Sequence, residues 1–222
     1  VRAAPFGSLS HLATPSAPVG KDGLVLFDGF APWRDPTITE INRLAMRQAL
    51  VASDSLNDAR AHRASRRTRL DGAWRFRLFD QPESVRVSDL RGKSSALGRA
   101  WRTITVPGNW TMQDVGDHPH YTNIDMPFDG PPPCIPEHNP TGVYRHTFSI
   151  PATWLDKQVV LHIGAADSVH YVYVNRTFVG YGTDSRLASE YDISRYVKRG
   201  NNELAIVVIR YSAQSYVEDQ DQ

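Results

Sequence analysis

The sequence predicts an all-β fold, an antiparallel β-sandwich of jelly-roll type carrying a long N-terminal arm. Two observations support this. Between residue 72 and residue 211, seven short stretches alternate apolar and polar residues or run continuously apolar, and Gly, Pro and Asn clusters separate them. Over the same span no apolar set repeats at helical spacing, so helices have little to bury. Short strands with turn punctuation and little helix are the pattern of a sandwich.

The elements follow in order. Residues 1–36 are rich in Pro, Gly, Ser and Ala and read as a tail that wraps a neighbour or stays mobile. In 37–50, Ile38, Ile41, Leu44 and Ala45 lie near helical spacing with Thr37 or Thr39 available as a cap. That stretch is either a short helix or a docked extended arm. Residues 54–62 have room for one or two helical turns. The arm is taken as 1–50 and the sandwich as 51–222. Strands are expected at 74–79, where Trp74, Phe76 and Leu78 alternate with Arg75 and Arg77, and at 102–106, ended by Pro107-Gly108. Further strands are expected at 142–150, 159–163, 168–174, 178–182 and 204–211. The pair 168–174 and 178–182 is joined by Asn175-Arg176-Thr177. This tripeptide also matches a glycosylation acceptor, and the hairpin tip is the favoured reading. Asp184-Ser185-Arg186 reads as a turn at a sheet edge.

Residues 109–141 break the rhythm. Pro127, Pro131, Pro132, Pro133, Pro136 and Pro140 crowd a stretch with no strand pattern, while Trp110, Tyr121, Phe128 and Ile135 offer apolar anchors. A long structureless loop in a compact domain is usually functional or disordered; the apolar anchors favour order, and proline lowers the entropy cost of holding one shape. An ordered loop that presents a side chain to a ligand is the expectation, with Trp110 as its conformational anchor.

Composition narrows the function. Hydrophobic residues form 41% of the 222 residues, enough for a core. A formal charge of +1 supplies no global field for nucleic acid, membrane or an acidic partner. The arginines at 60, 63, 66, 67 and 69 lack interleaved aromatics and read as a solvated connector. Cys134 is the single cysteine, so no internal disulfide forms, and a cytoplasmic setting is expected. No run approaches the roughly 20 apolar residues of a membrane span. His118-Pro119-His120 lacks a nearby third ligand and reads as a loop pair, not a metal site. The chain closes on Glu218-Asp219-Gln220-Asp221 after a strongly apolar strand. That acidic close suggests one module of a longer enzyme, with part of an active site at its end.

Six strings in order carry a resemblance: Leu70-Asp71-Gly72-Ala73-Trp74-Arg75-Phe76, Val106-Pro107-Gly108-Asn109-Trp110, Tyr121-Thr122-Asn123, Asn139-Pro140-Thr141-Gly142-Val143-Tyr144, Val179-Gly180-Tyr181-Gly182-Thr183-Asp184-Ser185-Arg186 and Ser215-Tyr216-Val217-Glu218-Asp219-Gln220-Asp221. Together they resemble the N-terminal sugar-binding domain of family 2 glycoside hydrolases, in particular the large bacterial β-galactosidases. The likeness runs from about residue 38 to residue 222. It implies a galactose-binding-domain-like jelly roll whose parent carries a TIM barrel with both catalytic glutamates of a retaining mechanism, so no catalytic residue is expected in this chain.

The resemblance implies two substrate-binding residues. Asn123 matches an asparagine that hydrogen-bonds a sugar hydroxyl, a task suited to an amide that both donates and accepts. Asp221 matches an aspartate that binds the galactosyl 6-hydroxyl and helps ligate sodium, a hard cation that takes oxygen donors. Sodium and magnesium are implied cofactors of the full-length enzyme. The implied partners are a galactoside, the remaining domains of the parent and further copies in a homo-oligomer. The alternatives are a stand-alone carbohydrate-binding module, and the same domain of a β-glucuronidase or β-mannosidase. A third is a mainly structural piece that contributes an interface and arm to an assembly.

Overall fold

The computed structural model describes residues 31–47, 53–61, 66–91, 98–120 and 129–218. Among these residues, nine strands form two antiparallel sheets: β1 (Glu40–Ile41), β2 (Gly72–Phe79), β3 (Arg102–Val106), β4 (Thr141–Ile150), β5 (Val160–Ile163), β6 (Val169–Val174), β7 (Thr177–Gly182), β8 (Ser189–Asp192) and β9 (Gly200–Ile209). The larger sheet runs β1-β7-β6-β9-β4-β2-β3, and β5 pairs with β8 in the smaller. This is the expected antiparallel β-sandwich. The described helices are α1 (Leu56–Arg60), α2 (Val87–Leu90) and α3 (Ser215–Glu218).

The strand period of two sorts the side chains into layers. On one face of the large sheet, Tyr171 and Tyr173 of β6, Tyr181 of β7, and Ala205, Val207 and Ile209 of β9 form a core with Trp33 and Ile41 of the arm and with Phe79, Val85, Leu90 and Trp101. On the other face, Val172 and Val174 of β6, Leu204 of β9, Phe148 and Ile150 of β4 and Trp74 of β2 pack against Leu161 and Tyr191 of the small sheet. The large sheet is thus covered on both faces, which is why β6 is buried at every position. The turn from β6 to β7 places Asn175 at φ 49° and Arg176 at φ 73°, the left-handed pair a two-residue hairpin needs. The Asn175 amide donates to Tyr196 O and Asn202 Oδ1, both at 2.8 Å, so the side chain is committed to the hairpin. The Asp184 carboxylate accepts the backbone N–H groups of Arg186 and Leu187, which makes the expected turn after β7.

Of the two readings of 37–50, the described part takes the extended one. Glu40 and Ile41 pair with Gly182 and Tyr181 as an edge strand, Leu44 N donates to Glu190 O at 2.8 Å, and Trp33 is 2% exposed. The tertiary reason is that β7 is bare on its outer edge until β1 covers it. The helix over 56–60 falls inside the stretch expected to turn, capped by Ser55 Oγ, which accepts from Asp58 N.

Tyr171, Tyr173 and Tyr181 form a stripe across β6 and β7 that is wholly interior. Tyr171, Tyr173 and Tyr181 are 0%, 1% and 0% exposed, and the Tyr171 and Tyr181 rings stand 4.9 Å apart, tilted by 58°. The hydroxyls of Tyr171 and Tyr173 have no hydrogen-bond partner among the described residues, and burial raises both pKa values well above 10, so they stay protonated. An unpaired buried hydroxyl costs about 1–3 kcal/mol. Tyr173→Phe is therefore expected to leave stability unchanged or raise it by about 1 kcal/mol. A loss of stability of that size in urea unfolding would contradict the orphaned hydroxyl.

Candidate functional site

The long loop leaves β3 at Pro107 and turns at once. Gln113 binds the backbone of Thr105 in both directions, accepting from its N at 2.7 Å and donating to its O at 3.0 Å. Trp110 is 6% exposed and lies over the sheet, its ring 5.9 Å from Phe76 and 6.3 Å from Tyr144. Gly142 of β4 makes room for this: a Cβ there would stand 2.9 Å from the Trp110 ring and 2.6 Å from Phe76 Cε2. Trp110 is therefore an anchor, as expected, and its face is not free to stack on a sugar. Its indole Nε1 donates to Asp117 Oδ2 at 2.6 Å.

Asp117 also receives Arg210, the residue after β9. One guanidinium nitrogen lies 2.6 Å from each carboxylate oxygen, with the two side chains 13% and 10% exposed. The returning end of the loop is held in parallel. Asn139, 1% exposed, donates from Nδ2 to Tyr211 O at 2.8 Å and accepts from Tyr211 N at 2.9 Å. Arg210 N donates to Pro140 O at 3.1 Å. The invariant logic of such a two-way amide clasp is that one side chain imitates a strand partner, satisfying a backbone donor and acceptor together.

Residues 212–216, beyond β9, are bonded to several neighbouring segments. Ser168 Oγ donates to Ser212 Oγ at 2.9 Å, Ala213 N to Trp33 O at 2.8 Å and Gln214 Nε2 to Pro36 O at 2.9 Å. Tyr216, in α3, donates its hydroxyl to Cys134 O at 2.6 Å, with Gly130 O at 3.2 Å. Thus the described ends of the proline-rich loop and the segment leading to the acidic close share one side of the sandwich, with the arm beside them.

Asn123 and Asp221 both lie outside the described residues, as do the anchors Tyr121 and Phe128. Ile135 packs against the tyrosine-bearing core as a partly buried side chain. Among the described residues, no group of three or more His, Cys, Asp or Glu is placed to hold a metal, and no helix is long and apolar enough to cross a membrane. Sequence reasoning missed Asp117 and Arg210. They stand 93 positions apart, and neither an aspartate after Gly116 nor an arginine at a strand end carries a local signal.

A sandwich with a braced loop and a tethered C-terminal segment defines a class, and residues 67–222 match the family model described as "Glycosyl hydrolases family 2, sugar binding domain". The chain belongs to that family. It is 39% identical over 190 residues to a β-galactosidase of Pseudoalteromonas haloplanktis and 40% identical over 190 residues to one of Alteromonas mediterranea, each alignment covering 85% of this chain and 18% of the relative. The chain therefore spans less than a fifth of the length of these curated relatives. Among solved structures it resembles a β-glucuronidase of Bifidobacterium dentium, with 22% identity, a TM-score of 0.46 and 63% of this chain and 19% of that one covered.

Proposed function

We propose that this chain is the sugar-binding domain of a β-galactosidase, supplying Asn123 and Asp221 to the galactosyl subsite while the catalytic carboxylates lie elsewhere in the complete polypeptide. The observation that carries the reading is the 39–40% identity to named β-galactosidases across 85% of this chain. The bonds from Tyr216 to Gly130 and Cys134 support it, because they tie the loop that bears Asn123 to the segment that leads to Asp221.

In this reading the Asn123 amide donates to one sugar hydroxyl and accepts from another, and the Asp221 carboxylate accepts from the galactosyl 6-hydroxyl. The donor set suits sodium at Asp221, since a carboxylate is a hard, charged oxygen ligand. One carboxylate is an incomplete shell, and the remaining ligands belong to other parts of the polypeptide. No residue of this chain is assigned to magnesium. A cytoplasmic homo-oligomer completes the reading, on the family likeness alone.

The test is steady-state kinetics of Asn123→Ala and Asp221→Ala in the complete polypeptide. Loss of a hydrogen bond to a bound sugar costs about 1–3 kcal/mol, so kcat/KM on a β-galactoside should fall by about 10- to 100-fold in each. On a 6-deoxygalactoside the Asp221→Ala penalty should shrink sharply, since the partner hydroxyl is gone. Unaltered kinetics in both variants would overturn the site.

A further inference from the structure

The Asp117–Arg210 pair with Trp110 has no counterpart in the site residues named so far, and its placement suggests a task. Asp117 lies six positions before Asn123, and Arg210 lies eleven before Asp221. Each belongs to a described segment that runs directly into one of the two stretches bearing those residues. The pair joins the two segments, and it is short, shielded and three-cornered: the indole N–H and one guanidinium nitrogen converge on a single carboxylate at 2.6 Å. Its burial distinguishes it from the exposed ion pairs of the chain, such as Arg34–Glu83 at 48% and 42% side-chain exposure. Exposed pairs contribute little, whereas a shielded pair with a third donor fixes a geometry, because each group left alone would be a desolvated, unpaired charge.

We propose that Asp117 and Arg210 are positioning residues for the galactosyl subsite. Their ion pair, oriented by the Trp110 indole, sets the register between the loop that carries Asn123 and the segment that carries Asp221. The inference rests on the reading of those two residues as sugar ligands. Neither Asp117 nor Arg210 touches substrate in this account. Their effect passes through Asn123 and Asp221, whose amide and carboxylate must meet two hydroxyls of one pyranose at once. The ion pair joins the two described segments at the points from which those stretches continue, so it is placed to hold their spacing.

The experiment is a set of kinetic cycles in the complete polypeptide. Asp117→Ala and Arg210→Ala should each lower kcat/KM on a β-galactoside by about tenfold or more. The double variant should fall no further than the worse single one, because one interaction is lost in all three. In the Asn123→Ala, Asp221→Ala double background, Asp117→Ala should cost almost nothing more, since the ligands it positions are gone. A merely structural role would instead multiply its loss onto that background and lower the melting temperature in step with activity. If the alanine variants fail to fold, Asp117→Asn and Arg210→Lys carry the same cycles: each keeps size and one hydrogen bond and should recover part of the activity. Full activity in Asp117→Ala and Arg210→Ala, or losses that multiply with those of Asn123→Ala and Asp221→Ala, would overturn the clamp. The outcomes separate cleanly. Unaltered kinetics in Asn123→Ala and Asp221→Ala sinks the subsite itself, while altered kinetics there with an inert Asp117 sinks only the clamp.

Discussion

Gly180→Ala is expected to destabilise the chain by about 3 kcal/mol or more, the upper range for overpacking in a closed core. A Cβ at this position of β7 would stand 2.5 Å from Tyr191 Cε1 and 2.6 Å from the backbone oxygen of Ile41. The first neighbour is a fully buried ring of β8 whose hydroxyl is 2.9 Å from His170 Nε2, so it has little room to turn. The second is the main chain of the edge strand β1. Relief therefore requires lifting either the arm or the small sheet, and both carry core residues. The glycine is needed for close approach, not for an unusual φ. Gly164→Ala is the control: the position is exposed, no described residue stands within 4 Å of an added Cβ, and stability should change by less than about 0.5 kcal/mol. Urea unfolding of the two variants checks both expectations. A Gly180→Ala midpoint matching that of Gly164→Ala would show that the arm and the small sheet yield more easily than their packing implies.

Acid should weaken the fold through His170. This side chain of β6 is 1% exposed, and burial, with the Arg43 guanidinium nearby, pulls its pKa down from 6.5 to about 3. The charged and titratable groups about it are Arg43 from the arm, whose Nη1 donates to Thr183 O at 2.9 Å, and Tyr191 from β8, whose own pKa is raised by burial. Native His170 therefore stays neutral where the unfolded chain takes up a proton. Below pH 6.5 the unfolded state binds more protons, so stability is full above that pH and falls as pH drops toward 3. At about 1.4 kcal/mol per tenfold change in proton affinity, the loss approaches about 5 kcal/mol at the acid end. Unfolding free energies measured from pH 7.5 down to pH 4 should show this slope. His170→Gln, which cannot titrate, should flatten it by close to one proton. An equally steep profile in the variant would assign the acid sensitivity to other groups.

The strands legible in the sequence were those whose own residues state their burial. Trp74, Phe76 and Leu78 alternating with arginines, and the apolar run of 204–209, announce a face or a core without reference to partners. The hairpin at Asn175-Arg176 was legible for the same reason, since its backbone needs are local. By contrast β8, Ser189-Glu190-Tyr191-Asp192, has no strand signature and exists because Leu161 and Tyr191 complete the layer over β6 and β7. The apolar spacing of Ile38, Ile41 and Leu44 fitted a helix equally well, and the open edge of β7 decided for the extended form. The tyrosine stripe could have faced water, and became interior once the arm laid Trp33 against it, with the rings 6.4 Å apart.

By itself the sequence determined the sandwich, its principal strands, the proline-rich loop and membership of a sugar-binding family, because each of these is written in local periodicity or in contiguous strings. Tertiary structure alone decided that Glu40 and Ile41 of the arm pair as an edge strand, that His170 is sealed from solvent, and that Asp117 meets Arg210. The arm's contacts and the Asp117–Arg210 pair join groups 140 and 93 positions apart. Spacing along a chain records which way a residue faces, but not which distant charge or edge it will find there.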